Sequence, residues 1–219
     1  MIKRYGVIGE GEPDHIIIRN ILYGFFGAKD LDIRKLFPIV KDEGGFHRIF
    51  KYIGTKEFRD DIDNLDFCVI QIDTDECQQW EERIQHIGND STQINEFFET
   101  VKQVLINRIG ESYPLLEEKI IFAITIHDLE CWLLPFHATN ASDKVKLHSC
   151  KTTMNRIASE MKLPIAKGSP SRISNFQSLS KDMSKNKILL EKHDINPSLK
   201  IFIDSLSAKF PPAEPINEV

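Results

Sequence analysis

Three acidic clusters each follow directly on an apolar run. The first is Gly9-Glu10-Gly11-Glu12-Pro13-Asp14, the second Asp73-Thr74-Asp75-Glu76, and the third His127-Asp128-Leu129-Glu130. Carboxylates gathered in this way suit a hard divalent cation such as Mg²⁺ (or Mn²⁺), which takes oxygen ligands. In Asp-x-Asp at a strand end, residues two apart point to the same side, so Asp73 and Asp75 can share an ion. Crowding negative charge is costly unless a cation neutralises it. Glu10, Asp73 and Asp75 are therefore the candidate metal ligands, with Glu130 and then Glu12 as candidates to complete the shell. The structural alternative is that Asp14, Asp73 or Asp128 merely caps a helix.

The elements that must position these acids alternate along the chain. Residues 4–9, 66–72 and 119–126 read as strands, the last two almost continuously apolar, as in a parallel sheet covered on both faces. Residues 35–40 form a further strand, placed at an edge or distorted by Pro38. Helices are expected over 15–26 with Asp14 as N-cap, 46–63 after Gly44-Gly45, 92–109 capped by Ser91, and 129–136 stopped near Pro135. This order predicts an α/β fold: a mostly parallel central sheet with helices on both faces. In such a sheet ligands bind beyond the carboxyl ends of the strands, where the acid clusters fall. Beyond residue 138 the pattern becomes basic and helical, with helices over 152–162, 172–183 and 197–209. The expected division is an α/β domain over 1–138, a basic helical extension packed on it over 139–210, and a flexible tail over 211–219.

The chain has 219 residues and a net charge of −5. Residues 1–143 carry 15 Lys/Arg against 26 Asp/Glu (15 − 26 = −11). Residues 144–200 carry 12 against 4 (12 − 4 = +8), and the last nineteen 1 against 3 (1 − 3 = −2). An acidic front and a basic back fit a metal site beside a phosphate-binding surface, and fit plain solvated faces equally well. No apolar run approaches the roughly 18 residues that span a bilayer, and no secretory signal is visible. The expectation is a cytoplasmic protein with no membrane partner. The cysteines Cys68, Cys77, Cys131 and Cys150 form no CxxC pair and are expected to be buried reduced thiols.

Other chemistries find little support. Gly9-x-Gly11 is not a dinucleotide fingerprint, because Asp14 stands where the third glycine belongs and acids line the turn. There is no P-loop and no GxSxG elbow. His127 reads as structural more readily than as a base.

The runs Val7-Ile8-Gly9-Glu10-Gly11 and Val69-Ile70-Gln71-Ile72-Asp73-Thr74-Asp75 resemble the topoisomerase–primase (TOPRIM) fold. More closely, the chain is similar to an uncharacterised bacterial TOPRIM-like group with a Glu-x-Trp-Leu element, here Glu130-Cys131-Trp132-Leu133. Gly44-Gly45 and Leu179-Ser180-Lys181 add to the likeness, which covers most of residues 4–183. The resemblance implies that Glu10 is a metal ligand or general acid/base, that Asp73 and Asp75 bind metal, and that Glu130 is the acid of the subgroup. It also implies a nuclease of phage defence working with a separate ATPase subunit. The expected function is thus a Mg²⁺-dependent nuclease acting on DNA or RNA, with Glu10, Glu130 and Lys181 catalytic and Lys181, Lys185 and Lys187 gripping the phosphate backbone. For those lysines, plain solubility is the competing reading. A non-catalytic subunit that docks a partner through the acidic surface of 1–143 is the alternative function. A phosphotransferase or phosphatase on a small nucleotide is a third.

Overall fold

The computed structural model describes residues 3–38, 44–87 and 93–211. Strands β1 (Arg4–Ile8), β2 (Asp32–Phe37), β3 (Phe67–Asp73) and β4 (Ile120–Thr125) form one parallel sheet in the order β2-β1-β3-β4. The helices are α1 (Glu12–Phe26), α2 (Phe46–Ile53), α3 (Lys56–Asp63), α4 (Ile94–Ile109), α5 (Tyr113–Leu116), α6 (Glu130–His137), α7 (Ala141–Lys144), α8 (Cys150–Glu160), α9 (Arg172–Leu179), α10 (Asn186–Lys192) and α11 (Pro197–Lys209).

The period of two along each strand divides the core between the faces. Cys68, Ile70 and Ile72 of β3 join Phe46, Ile49, Phe58, Val101 and Leu105 from α2, α3 and α4. Val69 between them joins Ile17 and Ile21 of α1, Trp132 of α6 and Phe202 of α11. β4 splits in the same sense, with Ile120, Phe122 and Ile124 on one side and Ile121 and Ala123 on the other. This is the parallel sheet flanked by helices on both faces that the sequence predicts.

β1 and β3 are neighbours, yet their connections leave in opposite directions. The chain runs from β1 through α1 to β2 on one flank, and from β3 through α4 to β4 on the other. A crevice opens at such a switch point, beyond the carboxyl ends of the two strands. Glu10 follows β1 and Asp73 closes β3, so both stand at its mouth.

Several local details differ from expectation for identifiable reasons. Gly11, not Asp14, caps α1; Asp14 lies three residues in, and its Oδ2 accepts the Gly11 N–H at 2.7 Å. The stretch 46–63 is two helices, because Gly54 ends the first and the Thr55 hydroxyl caps the second by accepting the Phe58 N–H. Pro135 lies inside α6 rather than ending it. Its missing N–H frees the Cys131 carbonyl, which accepts a hydrogen bond from Asn196 Nδ2 at 3.5 Å instead. β2 is an edge strand, as Pro38 suggested, while residues 39–40 and the Ser91 cap lie outside the described residues. Cys131 and Cys150 are joined in a disulfide that ties α6 to α8, which corrects the expectation of four reduced thiols. Cys68 and Cys77 are free and buried. Among the described residues, no helix is long and apolar enough to cross a membrane.

The helices after residue 138 are built into the same core. Trp132 stacks on Phe202 with ring centroids 5.5 Å apart, and its Nε1 donates to Ser198 Oγ at 2.8 Å. Met183, on the short 3-10 turn Ser180–Ser184, lies against α1 at Gly24, where an added Cβ would fall 2.0 Å from the Met183 carbonyl oxygen. Gly24→Ala therefore forces backbone apart and should cost about 1–3 kcal/mol, as overpacking does. Urea denaturation checks this; an unchanged midpoint would show that the turn is not seated on α1 as described.

Candidate metal centre

β3 delivers Asp73 with its carboxylate held from two sides. Asp73 Oδ1 accepts from Thr125 Oγ1 at 2.7 Å and from Gln71 Nε2 at 2.9 Å. Gln71 shares the strand face of Asp73, and Thr125 pairs with Asp73 across β4. The Asp73 N–H in turn donates to Glu10 Oε1 at 3.1 Å, linking the ends of β3 and β1. The ends of β3 and β4 are locked by Thr74, whose N–H donates to the His127 carbonyl (2.8 Å) and whose hydroxyl accepts from the His127 N–H (2.9 Å). His127 adopts a left-handed backbone, φ 66°, which is uncommon for a non-glycine residue. On the other side, the Gly45 N–H donates to the Glu10 carbonyl, and any Cβ on Gly44 would collide with that oxygen.

The carboxylates feel one another. Burial, then Asp14 and Asp75, pushes Glu10 up to about 8. Burial, then Glu10, Asp14 and Glu130, raises Asp73 well above the carboxylate range. Glu130, at the start of α6, is pushed up to about 7 by burial and Asp128, and burial raises Asp14 to about 6. Arg172, at the start of α9, offsets Asp14, and Lys151 faces the acids from α8. Lys151 Nζ donates to Asp75 Oδ2 at 2.6 Å. Burial opposes the charge on Lys151, but Asp73, Asp75 and Glu130 outweigh it and hold the ammonium well above its usual range.

Glu10, Asp73, Asp75 and Glu130 are thus brought to one rim. Their oxygens are not drawn into a single compact shell. Among the described residues, the group whose donor atoms all lie within 4.8 Å is Asp128, Cys131 and Cys150, and its two sulfurs are already bonded to each other. The all-oxygen donor set suits Mg²⁺ or Mn²⁺ better than a thiol-loving metal. Asp75 would have to exchange Lys151 for the ion. Glu12 stands apart, in a salt bridge to Lys35 at 2.8 Å on the flank of α1.

Lys181, Lys185 and Lys187 lie elsewhere. Lys181 follows Ser180, whose hydroxyl accepts from Asn20 in the second half of α1, and Lys185 and Lys187 lie farther along, where Asn186 Nδ2 bonds the Gly24 and Phe25 carbonyls. Lys185 pairs with Asp182 at 2.7 Å. At 1.5 Å per helical residue, Gly24 is about 18 Å from the acidic rim. Sequence reasoning missed Lys151 and gave Asp14 only a capping role. No sequence signal joins them: Lys151 follows Cys150 and Glu130 precedes Cys131, and the disulfide alone brings the two charges together. Three imidazoles add to the rim's border, with His127 centred 5.4 Å from His86 and 5.1 Å from His148.

No family model, curated protein or solved structure matches this chain.

Each raised carboxyl binds its proton more tightly folded than unfolded, so stability falls as pH rises from the ordinary value of 4.5 towards about 8 for Glu10. The thermal midpoint of metal-free protein should drop between about pH 5 and pH 8, and millimolar MgCl₂ should restore it mainly at the upper end. Asp73→Asn keeps an Oδ1 acceptor for Thr125 and Gln71 while removing a buried charge. It should raise the metal-free midpoint at pH 8 and abolish the Mg²⁺ effect; a variant less stable than wild type there would contradict the charge crowding described.

Proposed function

We propose that the protein is a Mg²⁺- or Mn²⁺-dependent nuclease that hydrolyses phosphodiester bonds in DNA or RNA. The observation that carries this reading is the convergence of Glu10, Asp73, Asp75 and Glu130 on the switch-point crevice with Lys151 among them. A divalent ion bound there would supply charge neutralisation at the phosphoryl oxygens and a water of lowered pKa. Asp73 and Asp75 are the residues that would hold it, with Glu10. With Glu10 held by the ion, Glu130, raised by burial and Asp128, would be the carboxyl that accepts the proton of the attacking water and returns one to the leaving oxygen. Lys151 Nζ, released from Asp75, can neutralise a non-bridging phosphate oxygen. The exposed lysines 181, 185 and 187 would meet nucleic acid only along a longer backbone path. A place in anti-phage defence, with an ATPase as a separate subunit, rests on the TOPRIM-like motifs.

Purified protein with MgCl₂ or MnCl₂ should cut plasmid, linear DNA or RNA, alone or with a partner ATPase. Asp73→Ala with Asp75→Ala should abolish cutting, and Lys151→Ala should slow it about a hundredfold or more, the usual effect of losing one preorganised group at the reacting centre. Cleavage that survives the double substitution would remove the metal assignment, and no cleavage of any substrate would remove the nuclease.

A further inference from the structure

Asp128, just before α6, Cys131 on α6 and Cys150 at the start of α8 are all buried, and one donor atom from each lies within 4.8 Å of the others. Two of the three are joined as the disulfide. We infer that, once this disulfide is reduced, Asp128, Cys131 and Cys150 bind one Zn²⁺, so that the metal replaces the covalent link between α6 and α8. The inference stands whether or not the carboxylate rim belongs to a nuclease.

Three features select that chemistry. The first is the state of Asp128, which is only 1% exposed. Its Oδ2 lies 3.3 Å from His127 Nδ1, while its Oδ1 faces Cys131 Sγ at 3.7 Å. A disulfide sulfur carries no proton, so in the oxidised chain Oδ1 has no donor among the described residues. A buried carboxylate oxygen left so is costly, and a cation beside the sulfurs satisfies it. The second is spacing. Zinc bonds of about 2.3 Å to sulfur and about 2.0–2.2 Å to oxygen, at tetrahedral angles, set donor atoms roughly 3.5–3.8 Å apart. The Oδ1–Sγ separation already has that value, and only the two sulfurs must part. The third is the donor set. Two thiolates and one carboxylate suit Zn²⁺ and not Mg²⁺, and the His127 ring on Oδ2 is the outer partner that orients a ligating carboxylate. The Leu147 carbonyl, 3.5 Å from Cys131 Sγ, and the Lys146 carbonyl, 3.6 Å from Cys150 Sγ, accept the thiol protons before metal arrives. A water or one of these carbonyls closes the tetrahedron.

The steps balance. A dithiol reductant attacks one sulfur through its thiolate, passes two electrons and two protons to the pair, and leaves as its own cyclic disulfide. The chain then holds two thiols. Zn²⁺ displaces both thiol protons to solvent as the sulfurs bind it. The consequence falls on the rim. Glu130 precedes Cys131 and Lys151 follows Cys150, so whatever joins these sulfurs holds Lys151 near the acids. With zinc in the dithiol form, α8 keeps its place under reducing as well as oxidising conditions.

The test is absorption spectroscopy of full-length protein purified throughout in a phosphine reductant and titrated with Co²⁺, the spectroscopic stand-in for zinc. Thiol titration in denaturant confirms that all four cysteines are reduced. A sulfur-to-cobalt charge-transfer band and tetrahedral visible bands should grow to one Co²⁺ per chain and vanish when Zn²⁺ is added. The oxidised protein should show neither. Cobalt on the carboxylate rim gives no sulfur band, so the two sites are told apart. Cys150→Ser should lose about half of the charge-transfer intensity, and Asp128→Asn should weaken Co²⁺ binding about tenfold or more. Cys68→Ala and Cys77→Ala, made singly, should leave the band unchanged. The zinc site is refuted if reduced, folded wild type gives no sulfur band, if the band survives Cys150→Ser at full strength, or if it needs Cys68 or Cys77. Loss of the folded circular-dichroism spectrum on reduction, not restored by Zn²⁺, overturns it as well.

Discussion

Like charges that are crowded and partly dehydrated must be opposed by something, and the rest of this molecule is arranged around that demand. Burial raises Glu10, Asp14, Asp73 and Glu130 together, and the charges of Glu10, Asp14 and Glu130 raise Asp73 further. A parallel sheet can sustain such a rim because its strands all end at the same side. The donors that hold the acids in place come from the sheet itself: Gln71 and Thr125 on Asp73, and the Asp73 backbone on Glu10. One ammonium, Lys151, offsets part of the charge. The remainder is held as raised proton affinity.

Much of the sheet was legible because the strands are buried on both faces. Runs such as Phe67–Asp73 admit few other structures, and the acids at their ends mark the rim without any knowledge of side-chain contacts. The alternation that sends Val69 to one core and Ile70 to the other follows from the pleat alone. What escaped was everything set by long-range geometry. Asp14 looks like a cap because local spacing cannot reveal that Gly11 takes that role. Pro135 looks like a helix end because the compensating donor, Asn196, lies 65 residues from the carbonyl it satisfies.

The basic half of the chain shows the same limit more sharply. Net positive charge over 144–200 marks the segment that contains Lys151, but not which of its lysines meets the acids. Lys181 is brought beside α1 near Asn20, through the Asn20–Ser180 hydrogen bond, and Lys151 is brought to the acids. Only packing distinguishes them. α8 approaches the rim because Cys150 is bonded to Cys131, and nothing in the composition of either helix announces that bond.

That cross-link has a topological consequence. Residues 131 and 150 close a covalent ring with a sequence separation of 19, and the chain inside it includes α7 and the exposed Val145. A protease that nicks the ring at Val145 produces two polypeptides that remain one molecule. The fragment ending near Val145 keeps Glu130 and the other fragment keeps Lys151, yet both charges stay tethered through the sulfurs. Separation of the acidic front from the basic back then requires two events, a backbone cut and a reduction, and neither alone disperses the rim.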